Sequence, residues 1–217
     1  MNTALTRILD SKMVPIVRGQ SPEDVLKIAR SLHEGGVQVI EITLNSPNAL
    51  QAIELVCHEL GDVITVGAGT VLDPESARAA LLAGASFILA PSVNTETIKM
   101  TKRYGAISIP GAMTPTEIVT AYESGCDIVK VFPVTTLGPD YIKDIKGPLG
   151  HIPLMPTGGV DLENFESYLK SGAAACGLGS SLVKSKAEID PSYLKNLTEK
   201  ARRFTMIAEQ IKGGANE

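Results

Sequence analysis

The chain has 217 residues, enough for one large α/β unit or two small ones, and carries a net charge of −4 with both signs spread along it. Aromatic residues make up only 4% and no run of Lys and Arg occurs, which argues against a nucleic-acid partner. Hydrophobic residues reach 44%, yet no stretch has the length and purity of a membrane span, and the first seven residues lack the apolar core and cleavage site of a signal peptide. We therefore expect a cytoplasmic protein without a membrane partner.

The elements follow in chain order. A short helix is expected over Thr3–Ser11, followed by a strand over residues 14–18. Ser21, Pro22 and Glu23 then open a helix, with a capping hydroxyl ahead of a proline at the first helical position. A strand over 37–44 and another over 63–67 come next. Asp73, Pro74 and Glu75 repeat the opening device for a helix over 74–82. Strands over 87–91 and 106–110 precede a helix over 116–123, where Thr114 and Glu117 have capping-box spacing. Strands over 128–132, 152–156 and 174–178 complete the set, and a final helix over 193–211 is expected to fray at Gly213 and Gly214. Glycines at 35, 36, 84, 125 and 172 each close a helix before the next strand.

Eight short apolar strands alternate with amphipathic helices at about 25 residues per unit. Strands apolar on both faces suit a parallel sheet covered on both sides, and eight such units point to a single (β/α)8 TIM barrel over residues 1–217, with an extra N-terminal helix. A doubly wound open sheet is the competitor, but the first turn, Arg18-Gly19-Gln20-Ser21, lacks the GxGxxG pattern.

Three cysteines, Cys57, Cys126 and Cys176, are odd in number and form no CxxC pair, so buried reduced thiols are expected. His33, His58 and His151 form no HxH or HExxH spacing, and no metal site or cofactor is expected.

A barrel places its site at the C-terminal ends of its strands, so polar residues there carry weight. Lys130 interrupts the run Ile128-Val129-Lys130-Val131-Phe132, sharing a face with Ile128 and Phe132. A lysine enclosed in this way would be desolvated, which favours the neutral amine that attacks a carbonyl. A gatekeeper on an edge strand, or a lysine reaching out to solvent, would show the same pattern. Glu41 shares a face with Val39 and Thr43, and a carboxylate pointing inward suits a general base or a structural ion pair. Arg18 stands at the end of strand one, where its planar fork could hold a substrate carboxylate or simply face solvent. Thr157, Gly158 and Gly159 follow strand seven, and Gly179 and Ser180 follow strand eight. These two loops are where barrels commonly bind phosphate, through backbone N–H groups and the start of a short helix. Gly67, Ala68, Gly69 and Thr70 read as one more loop, after strand three, which could offer Thr70.

Four motifs in this order, Glu41-Ile42-Thr43-Leu44, Val66-Gly67-Ala68-Gly69-Thr70-Val71, Lys130-Val131-Phe132-Pro133 and Pro156-Thr157-Gly158-Gly159, resemble the 2-keto-3-deoxy-6-phosphogluconate (KDPG) and 4-hydroxy-2-oxoglutarate (KHG) aldolase family. The resemblance runs from about Pro15 to Lys184. It implies a homotrimeric class I aldolase that needs no metal and splits 2-keto-3-deoxy-6-phosphogluconate into pyruvate and D-glyceraldehyde 3-phosphate, with 4-hydroxy-2-oxoglutarate as a further substrate. By position, Lys130 would form the imine and Glu41 would move protons. Thr70 would touch the pyruvyl part, Thr157 the hydroxyl-bearing carbons, and Gly158, Gly159, Gly179 and Ser180 the phosphate. Many gluconate-type members carry an arginine where this chain has Asn45, while others place one at the end of strand one, so the carboxylate role falls to Arg18. The run Asn45-Ser46-Pro47 resembles the galactonate-type enzymes, which tend to lack the threonine found here as Thr157. A 2-keto-3-deoxy-6-phosphogalactonate aldolase is therefore the alternative. An isomerase or decarboxylase on a phosphorylated ligand, or a non-catalytic binding protein, stands further off.

Overall fold

A computed structural model describes residues 3–214. All strand pairs are parallel. A six-stranded sheet has the order β5-β4-β3-β2-β1-β9, and a three-stranded sheet the order β6-β7-β8. The strands are β1 (Met13–Val17), β2 (Val39–Thr43), β3 (Thr65–Gly69), β4 (Phe87–Leu89), β5 (Ile107–Ile109), β6 (Gly111–Ala112), β7 (Val129–Val131), β8 (Leu154–Pro156) and β9 (Cys176–Leu178). Helices α1 (Thr3–Ser11), α2 (Pro22–Glu34), α3 (Ala49–Leu60), α4 (Pro74–Leu82), α5 (Thr95–Arg103), α6 (Pro115–Glu123), α7 (Gly138–Lys146), α8 (Phe165–Lys170) and α9 (Pro191–Gly214) alternate with them.

The fifth expected strand is split. Pro110 has no N–H for the ladder, and the chain changes partner there: β5 pairs with β4, and β6 pairs with β7. The two sheets are nonetheless tied on both sides. Asp127 N donates to Ser108 O at 3.0 Å, and Lys130 N donates to Pro110 O at 2.9 Å. On the other side Thr157 and Gly177 form a parallel bridge, and Ala174 N donates to Leu154 O at 2.8 Å.

Alternation along the strands sorts the apolar residues into two cores. Val14, Val39, Phe87, Leu89, Ile107, Ile109, Ile128 and Met155 fill the concave side of the curled sheet together with Ala4 and Ile8 of α1. Met13, Ile40, Ile42, Val66, Ile88, Val129, Leu154 and Leu178 face outward and pack with the surrounding helices. Helix α1 thus closes the N-terminal end of the inner core, which leaves the C-terminal end for polar groups.

Local signals explain the helix starts. The Ser21 and Asp73 side chains accept from the N–H groups of Asp24 and Ser76, and Thr114 and Glu117 form a complete capping box. Gly36, Gly84, Gly125 and Gly172 take positive φ where helices give way to strands. Three expectations need correction. Strand three runs to Gly69 rather than 67, so Gly67, Ala68 and Gly69 are strand residues, paired with Glu41, Ile42 and Thr43, and not a loop. The last helix starts at Pro191 and continues through Gly214, so the two terminal glycines do not mark its fraying within the described residues. Cys57 is only half-buried, whereas Cys126 and Cys176 are buried; all three are unpaired. Burial pushes the thiol of Cys57 up to about 11 and that of Cys126 up to about 12.

Candidate active site

Lys130 lies at the centre of β7, paired with Gly111 and Met155, and points to the concave side between Ile128 and Phe132. It is 5% exposed. Its Nζ stands 5.1 Å from the centre of the Phe132 ring, whose π face favours a nearby cation. The edge-strand and solvent-reaching alternatives do not hold, since β7 has a neighbour on each side and the side chain is enclosed.

Glu41, on β2, faces the same interior and is 1% exposed. Neither carboxylate oxygen meets a hydrogen-bond donor among the described protein groups. Burial raises its carboxyl above the usual carboxylate range, opposed by the positive charges of Lys130 and, less strongly, Arg18. The three charged groups therefore belong to one electrostatic unit. The simple structural ion pair is not formed: among the described residues no carboxylate lies within salt-bridge distance of Lys130.

Arg18 sits one residue beyond β1, exposed, with Nη2 donating to Thr70 Oγ1 at 3.4 Å. Thr70 follows β3 and has φ +55, the left-handed region that a β-branched residue rarely enters. Such local strain persists where surrounding contacts over-determine it, and it tends to mark functional positions.

A cavity of about 430 Å³ opens beside this cluster, and its wall includes Arg18, Thr157, Gly158, Gly159, Gly179 and Ser180. Lys130, Glu41 and Thr70 do not line it; Lys130 adjoins it through Phe132 and Thr70 through Arg18, which do. Gly158 and Gly159 have φ of +87 and +82, conformations that open the backbone to a ligand at little steric cost. After β9 the chain makes a single turn, with Leu182 N and Val183 N donating to Gly179 O, and not the expected short helix. The buried Thr157 hydroxyl donates to Met155 O at 3.3 Å. A larger hollow, about 800 Å³, lies at the opposite end of the strands beside α1. It contains none of these groups, and its cation, Arg7, is taken up by Thr65 Oγ1 and Asp62 O.

Some contacts around the site could not be read from the sequence. Ser185, whose hydroxyl donates to Arg18 O at 3.3 Å, is 167 residues away along the chain. Ser46 links Thr43 Oγ1 and Gly19 N, anchoring the turn after β2 to the turn after β1. Phe132 was legible as a neighbour of Lys130 but not as part of the cavity wall. No group of three or more His, Cys, Asp or Glu side chains among the described residues is arranged to hold a metal ion.

A curled parallel α/β sheet with an enclosed lysine and carboxylate beside a glycine-rich cavity is the arrangement of a lysine-dependent aldolase, a carbon–carbon lyase. The comparisons with known proteins agree. The sequence pattern of KDPG and KHG aldolase matches residues 5–197. The 2-dehydro-3-deoxy-6-phosphogalactonate aldolase of Escherichia coli K12 is 36% identical over 179 residues, covering 82% of this chain and 87% of its own. The 2-dehydro-3-deoxy-phosphogluconate aldolase of Dickeya dadantii is 33% identical over 204 residues, covering 94% and 92%. Among solved structures, native KDPGal superposes with TM-score 0.86 at 33% identity, covering 93% of this chain and 96% of its own. The KDPG aldolase of Legionella pneumophila, with pyruvate captured as a covalent carbinolamine, superposes with TM-score 0.78 at 27% identity, covering 97% and 98%. The chain belongs to the KDPG and KHG aldolase family.

Proposed function

We propose that this chain cleaves 2-keto-3-deoxy-6-phosphogluconate to pyruvate and D-glyceraldehyde 3-phosphate through an imine on Lys130. The observation that carries the reading is the presence, on one inner face, of an enclosed lysine and an enclosed carboxylate that has no protein donor among the described residues. The Lys130 amine adds to the C2 carbonyl, and loss of the hydroxyl as water, with a proton from Glu41, gives the protonated imine and leaves Glu41 as the carboxylate. Glu41, through a water, takes the proton of the C4 hydroxyl; the C3–C4 electrons move into the imine and leave an enamine, and the aldehyde departs. Glu41 returns a proton to C3, and hydrolysis of the imine frees pyruvate and the lysine. The imine is itself the electron sink, so the scheme calls on no metal or cofactor. Arg18 and Thr70 hold the pyruvyl carboxylate end, Thr157 meets the hydroxyl-bearing carbons, and Gly158, Gly159, Gly179 and Ser180 hold the phosphate. Fixing both ends of the substrate sets the C3–C4 bond near the base.

Borohydride reduction in the presence of pyruvate tests this reading, with mass spectrometry to locate the adduct. A covalent adduct on Lys130, and loss of turnover in Lys130→Ala, are the expected results. A folded Lys130→Ala that still cleaves the substrate removes the imine scheme.

The galactonate epimer is the second reading. It is supported by the 36% identity to the phosphogalactonate enzyme and by Asn45, which stands exposed in the turn after β2. Steady-state rates on the two epimeric phosphates, and on unphosphorylated 4-hydroxy-2-oxoglutarate, decide between them.

We also read the chain as one closed (β/α)8 barrel. The single residue between β5 and β6 and the bridge from Thr157 to Gly177 support closure into eight staves. A homotrimer is the proposed assembly. One structural relative, with TM-score 0.87, is a cage designed by fusing symmetric oligomeric domains. Analytical ultracentrifugation is expected to give the mass of three chains, and a monomer mass would exclude the trimer. We place the protein in the cytoplasm, where its unpaired cysteines stay reduced; among the described residues no helix is long and apolar enough to cross a membrane.

A further inference from the structure

We propose that Gly69 is a positioning residue for Glu41: its bare Cα leaves the space in which the carboxylate lies. The inference rests on the reading of Glu41 as the proton-transfer group.

Gly69 is the last residue of β3 and pairs with Thr43, whereas Glu41 pairs with Gly67. The Glu41 side chain therefore leans along the strands toward their C-terminal ends and lies over a glycine two residues further on. A Cβ at Gly69 would stand 1.6 Å from Glu41 Oε1, 2.3 Å from Cδ and 2.6 Å from Cγ. No real side chain tolerates such distances, so any residue but glycine turns the carboxylate into another direction. The backbone does not call for glycine here, because Gly69 is not among the positive-φ glycines and lies in regular strand. Glycine weakens a strand relative to alanine, and at this position it leaves space for one carboxylate. Gly67 differs, since the ring of Phe87 fills the place of its Cβ, which is a packing arrangement.

Among the described residues no protein donor reaches either oxygen, so no protein hydrogen bond there sets the direction of this carboxylate. Shape does, and Gly69 is the part of that shape that one methyl group would abolish.

The test compares four proteins: the parent, Gly69→Ala, Glu41→Ala and the double variant. Gly69→Ala is expected to lower kcat for aldol cleavage about 100-fold, the size of effect that a misplacement of about 1 Å produces, with KM changed less than about threefold. A purely structural role would not separate kcat from KM. Gly69→Ala is also expected to lower Tm in the parent but not in the Glu41→Ala background, where the added methyl meets no carboxylate. If Gly69→Ala alone does not fold, a folded double variant supports the proposal and an unfolded one overturns it. Equal Tm losses in both backgrounds, or a Gly69→Ala kcat within threefold of the parent while Glu41→Ala is inactive, overturn the positioning role alone. Parental kcat in Glu41→Ala overturns the reading of Glu41 itself, and the proposal with it.

Discussion

At the scale of single residues the proposed chemistry rests on two enclosed groups, Lys130 and Glu41, and Glu41 leaves a signature in stability. Burial raises the Glu41 carboxyl, with Lys130 and Arg18 opposing, so the folded chain holds that proton more tightly than the unfolded chain does. For a raised carboxyl the sign is definite. The contribution to stability is complete below the ordinary glutamate range and is lost as pH rises through the raised value. Glu41→Gln stays neutral throughout. It is expected to melt above the parent at about pH 8, with the gain shrinking toward about pH 4, where both side chains are uncharged. A scan of Tm against pH reads this directly, and a constant difference across the range would show that ionisation is not its source. Thr70 offers a second case, because φ +55 is unfavourable for a β-branched residue and acceptable for asparagine. Thr70→Asn is expected to gain about 1 kcal/mol in urea unfolding while losing kcat/KM, the exchange that strain at a functional position predicts.

At the scale of elements, the helices stand on local devices and the site on strand ends. In the capping box of α6, Glu117 N in the first turn donates to Thr114 Oγ1 at 3.3 Å, and the Glu117 carboxylate accepts from Met113 N at 2.9 Å and Thr114 N at 2.8 Å, just ahead of the helix. Those donors hold the Glu117 carboxyl below the usual range. Thr114→Ala is expected to cost about 1 kcal/mol of unfolding free energy, measured by denaturant titration. The turn after β8 is governed differently. Gly159 has φ +82, and a Cβ there would lie 2.9 Å from Thr135 Cα, so alanine must shift the backbone. Loss of a bond to a charged group is worth about 1.5–3 kcal/mol, so Gly159→Ala is expected to raise KM for the phosphorylated substrate about tenfold or more. Imine trapping with pyruvate, which lacks the phosphate, should be unaffected, and an equal loss with pyruvate would remove the phosphate assignment.

For the whole molecule, the curled sheet sets the packing of α1 and the proposed site apart along its strands. Helix α1 packs Ile8, fully buried, against the inner core at the N-terminal end, while Lys130 and Glu41 stand at mid-strand and the glycine-rich cavity lies beyond the C-terminal ends of β8 and β9. Ile8→Ala is expected to cost about 2–5 kcal/mol, the range for a buried isoleucine truncated to alanine, with kcat at 25 °C within twofold of the parent. A large fall in kcat without unfolding would show that the two regions are coupled.

Much was legible in the linear chain because its cause is local. Alternation identified which strand residues face together, so Lys130 and Glu41 could be read as inward before any geometry. Ser21, Asp73, Thr114 and the helix-closing glycines declare their turns through their own side chains and φ preferences. Tertiary structure alone decided the rest, because it depends on groups brought together from far along the chain. The split at Pro110 follows from which neighbours each half of that strand meets. Gly69 reads as a loop glycine from sequence, and only the carboxylate lying on it shows why a strand residue there is bare. Ser185 reaches Arg18 across 167 residues, a contact that no spacing rule carries. Local physics determined the elements and the inward face of Lys130; packing decided what surrounds that lysine and in which direction the Glu41 carboxylate points.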